Sequence, residues 1–199
     1  MKKCLIIPLH KLKATSMKFE ETKLRGSHTV DILAAADERG WFARTFDKDE
    51  FNKIGFNSQW VQINHSFTNK AGTIRGMHYQ LSPFSEVKLV RCVAGVVFDV
   101  IIDLRNESDT FLQWFGTELS AENKKMIFIP EGFAHGFQTL SDNCELIYHH
   151  SQFYEPSSER GIKYDDPMIN IVWMNKITNI SKRDSEHRYI DEKFEGINI

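Results

Sequence analysis

Cysteine is scarce in this chain of 199 residues: Cys4, Cys92 and Cys144 are widely separated, and no Cys-x-x-Cys pair occurs. That excludes a disulfide framework and a thiolate zinc site, and it points to a reducing compartment, the cytoplasm. No stretch approaches the roughly eighteen consecutive apolar residues of a membrane helix. The longest apolar run, Val96 to Ile102, is broken by Asp99. Excess charge is lacking too, with a formal net charge of −2, so the overall electrostatics favour neither nucleic acid nor an anionic membrane. A local basic pocket for a small phosphorylated ligand stays compatible with that balance.

What is present suffices for one sizeable core, since 41% of residues are hydrophobic and 26% charged, neither depleted nor charged enough for disorder. The opening Met1 to His10 places two lysines before a short apolar stretch, which is too brief for a signal peptide and has no small-residue cleavage site. Residues 1–16 are therefore expected to be an N-terminal extension, with a second candidate start at Met17. Residues 17–199 are expected to form a single domain whose C-terminal tail begins at about residue 175.

The middle of the chain reads as short strands separated by turn residues, because β-branched and aromatic residues dominate and helical periodicity is hard to find. Strands are expected at 60–65, 72–80, 87–94, 96–104, 114–119, 125–129, 137–139 and 144–150, with one short helix at 48–53 that packs Phe51 and Ile54 on a sheet. Residues Ser120 to Asn123 read as a turn. This spacing predicts an all-β antiparallel sandwich or barrel with minor helix. After Trp173 the chain turns polar and loses alternation, as expected of a tail wrapped over the barrel.

Three polar residues fall on faces that alternation assigns to the interior. His78 shares its expected face with Ile74 and Gly76, Lys88 with Val90 and Cys92, and Tyr148 with Leu146 and Cys144. Burying histidine, lysine and tyrosine together costs stability unless they bond to one another, to water or to a ligand. Each alone has a structural alternative: Tyr148 can leave its hydroxyl at the rim, and Lys88 can snorkel. Together they suggest a site.

Gly72, five residues and then His78-Tyr79-Gln80 resemble the first cupin motif, and Pro130-Glu131-Gly132-Phe133-Ala134-His135 resembles the second. Gln80 replaces the second histidine of the first motif, and Lys88 stands where metal-binding cupins carry glutamate. An ammonium neither ligates a metal nor tolerates one nearby, so no metal is expected. Longer strings narrow the resemblance: Asp37-Glu38-Arg39-Gly40, Val61 to Ser66, Ile74 to Gln80, Lys88 to Arg91, Phe98-Asp99-Val100, Leu119 to Lys124, Ile129 to Phe137, Ser158 to Ile162 and Asp165-Asp166-Pro167. From about Met17 to Asp184 the chain resembles the dTDP-4-dehydrorhamnose 3,5-epimerase family. The resemblance implies a cupin jelly roll, usually a homodimer, acting without cofactor in activated deoxysugar synthesis, often for a cell-surface polysaccharide.

In a 4-keto sugar both C3 and C5 adjoin the carbonyl, so loss of either proton gives an enolate with its charge on O4. Inversion needs a base on one face, a cation or hydrogen-bond donor at the oxyanion, and a proton donor on the opposite face. By residue type and by the family resemblance, His78 is the base, Lys88 the enolate-stabilising group and Tyr148 the donor. Asp184 is the candidate to orient the imidazole, with a solvated loop aspartate as the alternative. The resemblance further implies substrate binding by Arg39, Gln62, Asn64, Arg75, His135, Tyr154 (a base-stacking aromatic) and Glu159. For Arg75 the alternative is an ion pair at a strand edge, for Arg39 and Glu159 a solvated turn, and for His135 a residue sealing the barrel. Arg44 stands where the family commonly has glutamate, Arg183 where it has lysine, and both are counted with the binding residues; Ser85-Glu86-Val87 replaces the usual Gln-Gly. These departures leave the carrier open between dTDP, GDP and CDP. They also leave open C3-only epimerisation, 3,4-ketoisomerisation and a non-catalytic sugar-nucleotide-binding cupin.

Overall fold

Short runs of alternating apolar and polar residues, punctuated by glycine and polar turns, leave the chain little choice but to pair strands edge to edge. A computed structural model describes residues 17–199; the expected extension over 1–16, with Cys4, lies outside the described residues. In chain order the strands are β1 (Met17–Glu21), β2 (His28–Ile32), β3 (Ala35–Asp37), β4 (Gly40–Phe42), β5 (Gln62–Thr68), β6 (Thr73–Gln80) and β7 (Lys88–Ala94). There follow β8 (Val96–Asp103), β9 (Trp114–Ser120), β10 (Met126–Ile129), β11 (Phe133–Thr139), β12 (Cys144–His150), β13 (Glu159–Gly161) and β14 (Asn179–Ile180). The helices are α1 (Lys48–Asn52) and α2 (Lys182–Ser185).

One six-stranded sheet has the order β1-β2-β10-β7-β12-β5, and the other runs β13-β6-β11-β8-β9 with β14 also on β6. The architecture is the expected all-β, cupin-type jelly roll. Between the sheets lies an apolar layer to which β7 and β12 contribute Val90, Cys92, Cys144 and Leu146, and β8 and β11 contribute Val97, Ile101, Phe133 and Phe137. Both sheets are covered on their outer faces as well. Phe51, Phe56, Phe128 and Met126 form one outer cluster, with Ile54 packed against it. Met77, Val100, Ile102 and Ala134 form the other beneath Ile162, Ile169 and Ile197. Burial on both faces explains why β8 and β10 are almost continuously apolar, without the alternation of a half-solvated strand.

The expected helix forms where Asp47 caps it, accepting from the amides of Asp49 at 3.1 Å and Glu50 at 3.4 Å. The expected turn after β9 forms because Asn123 Oδ1 accepts from the amides of Ser120 and Lys125, at 3.0 and 2.9 Å. Several strands escape the pattern. In β1, Lys18, Glu20 and Glu21 dilute the signal of Met17 and Phe19, as suits an edge strand. Strand β11 begins at Phe133 and not at 137, because Gly136 and His135 resemble a turn in sequence but lie inside a ladder with β8. Strand β5 begins at Gln62 and runs to Thr68, two residues later than expected at its start, since Trp60 packs sideways into the outer aromatic cluster.

Candidate active site

A cavity of about 850 Å³ opens between the sheets, and His78 enters it from β6. Simple alternation fails on that strand. Arg75 pairs with Phe137 and His78 with His135, so three residues of β6 are matched to two of β11, while Ile74 pairs with Gln138. The bulge corrects the expectation that His78 shares a face with Ile74 and Gly76: Arg75 is the residue in phase with it. Glycine is required at the bulge. Gly76 has φ +128°, and a Cβ there would lie 2.5 Å from the Gly136 Cα and 2.9 Å from the His135 carbonyl oxygen.

The tail supplies the carboxylate that faces His78. Strand β14 pairs in parallel with β6, Ile180 opposite Ile74, and this sets down α2 beside the imidazole. Ser181 caps α2 by accepting the Asp184 amide at 3.0 Å. His78 Nε2 then donates to Asp184 Oδ1 at 3.0 Å, and the Gly76 amide donates to Oδ2 at 3.2 Å. With Nε2 so engaged, Nδ1 is the nitrogen left to accept a proton. Burial would push the Asp184 carboxyl up, but the hydrogen bond and charge of His78, with the Gly76 amide, hold it well below the usual carboxylate range. His187 stands against His78 edge to face at 5.5 Å, and its Nε2 is buried without a partner. His78, Asp184 and His187 converge as metal ligands would. Arg183, however, lies 3.2 Å from His78 Nε2 and 3.4 Å from Asp184 Oδ1, and a guanidinium there repels a second cation.

Lys88 and Tyr148 enter from the facing sheet, on β7 and β12, in phase with Val90, Cys92, Cys144 and Leu146 as alternation predicts. The Tyr148 hydroxyl meets Ser66 Oγ at 3.0 Å, and burial raises the phenol far above its ordinary range. Lys88 is buried, its ammonium 3.1 Å from Glu86 Oε1 and 3.4 Å from the His78 carbonyl oxygen. His135, beside His78, is also buried and donates Nε2–H to Asp99 at 2.9 Å. Burial pushes the Asp99 carboxyl up despite that imidazole. Cys92, whose thiol burial pushes up to about 12, is an inert core residue and no nucleophile. Gln80, in the place of a metal-ligating histidine, ties two loops together: its Nε2 donates to the Phe84 carbonyl at 2.9 Å and its Oε1 accepts the Glu155 amide at 2.7 Å.

The cavity mouth gathers most of the remaining expected residues. Gln62 and Asn64 alternate along β5 into the cavity, joined by a 3.2 Å hydrogen bond. Arg75 is held by Thr68 Oγ1 at 2.9 Å. Tyr154 donates its hydroxyl to Glu159 at 2.7 Å, and Arg183 reaches the same carboxylate at 3.1 Å. Arg39 and Arg44 do not join them. They ion-pair with Asp37 and Asp47 at 2.6 and 2.7 Å, with side chains 77% and 52% exposed. Three cavity residues went unread in sequence: Ser66, Glu86 and His150. Ser66 and His150 follow Asn64 and Tyr148 by one strand period, so alternation alone could have placed them. For Glu86, just before β7 begins, there was no periodic signal.

Residues 21–192 match the model of the dTDP-4-dehydrorhamnose 3,5-epimerase family. The dTDP-4-dehydrorhamnose 3,5-epimerase of Shigella flexneri is 46% identical over 160 residues, covering 79% of this chain and 88% of its own. Among solved structures, the enzyme of that name from Elizabethkingia anophelis superposes with a TM-score of 0.86 at 35% identity, over 90% of this chain and all of its own (100%). The Legionella pneumophila dTDP-6-deoxy-D-glucose-3,5-epimerase, in complex with dTDP-4-keto-L-rhamnose, gives 0.85 at 36% identity, over 92% and 99%. Sequence, fold and cavity thus agree, and the chain belongs to the dTDP-4-dehydrorhamnose 3,5-epimerase family.

Proposed function

We propose that this protein epimerises C3 and C5 of a dTDP-bound 4-keto-6-deoxy sugar, with His78 as base, Lys88 at the enolate oxygen and Tyr148 as proton donor. One observation carries the assignment of roles: His78 and Tyr148 enter a single cavity from facing sheets, with Lys88 on the Tyr148 side. A sugar ring lying between those walls has a base on one face and an acid on the other, which is what inversion demands. His78 Nδ1 takes the proton next to the carbonyl, and the electron pair of the broken C–H bond moves to O4. The Lys88 ammonium stabilises the charge arriving there. Tyr148 then gives its hydroxyl proton to the carbon from the opposite side. Imidazolium and phenolate reset by exchange with solvent.

The oxygen-rich mouth supports a place for the diphosphate and nucleoside, where Arg75 and Arg183 offer fork-shaped donors and the half-exposed Tyr154 a stacking surface. Arg39 and Arg44 could reach that ligand only from a second copy, in keeping with a homodimer. No cofactor enters the scheme. The scarcity of cysteine favours a cytoplasmic location, and no helix of the described residues is long and apolar enough to cross a membrane. The deciding experiment incubates the protein with dTDP-, GDP- and CDP-linked 4-keto sugars in heavy water and reads the product by NMR. Deuterium at C3 and C5 is expected. Label at one carbon alone would reduce the reaction to a single epimerisation, a 3-keto product would mean ketoisomerisation, and binding without label would leave a sugar-nucleotide binder.

A further inference from the structure

Lys88 is a buried cation, and a buried cation is tolerated only where an anion meets it. That anion is Glu86, inside the segment where this sequence departs from its family's usual Gln-Gly. The carboxylate is nearly as buried as the lysine, each side chain being 9% exposed. Both of its oxygens are engaged: Oε1 faces the ammonium at 3.1 Å, and Oε2 accepts Nδ1–H of His150 at 2.7 Å. His150 in turn accepts at Nε2 from Asn64 at 3.3 Å, and Asn64 accepts from Gln62 at 3.2 Å. His150 and Lys88 are also direct cross-strand partners. Two donors, ammonium and imidazole N–H, therefore converge on one side chain that must offer two acceptors. A carboxylate does so; a carboxamide has one acceptor and would turn its NH2 on the other donor.

We propose that Glu86 is a positioning residue for Lys88, steered by His150, which fixes the ammonium at one point of the cavity wall and keeps it charged where the enolate oxygen forms. The other groups bearing on that ammonium are Asp99 of β8, the carbonyl of His78 on β6, and His150 of β12. Only Glu86 makes an ion pair with it among the described residues. Lys88 and His150 together outweigh burial and hold the Glu86 carboxyl below its usual value. The pair is then already ionised through neutral pH.

The role of Glu86 rests on the epimerase reading of the site, and the test keeps the two apart. Deuterium wash-in from heavy water is measured with the wild type, Glu86→Gln, His150→Gln and the double variant, alongside dTDP affinity and thermal midpoint. Glu86→Gln is expected to exchange about 10- to 100-fold more slowly at saturating substrate, while dTDP affinity stays within about threefold. Its loss of activity at alkaline pH should also begin about one pH unit lower, because the ammonium has lost its counter-charge. His150→Gln should cost about three- to tenfold, and the double variant should be no slower than Glu86→Gln, since both act through one carboxylate. Wild-type exchange rate and pH profile in Glu86→Gln would overturn the proposal, as would a loss confined to dTDP affinity. If Glu86→Gln does not fold, His150→Gln decides alone, and full activity there overturns it. A wild type that exchanges no proton sinks the epimerase reading instead.

Discussion

At the scale of single residues, the two partners of the proton transfer have separable consequences. His78 alone can take a proton and return it to the same face, whereas inversion needs Tyr148 on the other. Tyr148→Phe is therefore expected to exchange substrate protons with heavy water while its yield of inverted product falls by about 10²-fold or more. NMR of the recovered sugar nucleotide separates label from configuration; inversion at the normal rate would remove Tyr148 from the mechanism. Asp184 lends itself to a titration. The folded protein keeps this carboxyl ionised at a pH where the unfolded chain, with a value near ~3.9, would protonate it. Its contribution to stability is complete above about pH 5 and drains away as the pH falls through the unfolded value toward the lower folded one. Thermal melts from pH 7 to pH 3 should show wild type losing more midpoint than Asp184→Asn. The same variant should slow exchange by about 10²-fold, because the imidazole loses the acceptor that holds its tautomer.

Among the elements, the bulge on β6 matters most, since it aims both His78 and Arg75. Gly76→Ala would place a methyl 2.5 Å from the Gly136 Cα at a φ of +128°. It is expected to destabilise by about 3 kcal/mol or more and to abolish exchange, as read by urea unfolding and the heavy-water assay. Stability within error of wild type would mean the strand has another register available. The element scale is also where sequence pattern was weakest. Central strands declared themselves through apolar runs, but β1 was hidden by its charges and the start of β11 by glycine and histidine. Interior phase was readable for Lys88 and Tyr148 on regular strands. It was not readable across the β6 bulge, because an inserted residue leaves no mark on hydrophobic periodicity.

For the molecule as a whole, exposed apolar surface is the feature a single chain leaves unexplained. Ile63 and Phe67 stand 62% and 55% exposed on the outer face of edge strand β5, and Trp41 and Phe42 are 51% and 65% exposed on the β3–β4 hairpin. Large side chains of this kind mark an interface more often than free surface. Sedimentation is expected to find a homodimer, and Ile63→Glu with Phe67→Glu to shift it toward monomer. If Arg39 and Arg44 act across that interface, the monomeric variant should lose dTDP affinity by about tenfold while its melting remains cooperative. A monomeric wild type with full activity would return both arginines to the solvated surface.

The strand-rich architecture and the chemical set His78, Lys88 and Tyr148 were determined by the sequence itself, because alternation and motif spacing are local properties that survive reading in one dimension. Asp184 could be nominated from its motif, but only the parallel pairing of β14 with β6 carries it to His78 across most of the chain. The tertiary structure alone decided that Arg75 and not Ile74 is in phase with the base, that Arg39 and Arg44 lie off the cavity, and that Glu86 and His150 meet at Lys88. Each of these depends on register between strands distant in sequence, and register is set by packing, which no local pattern records.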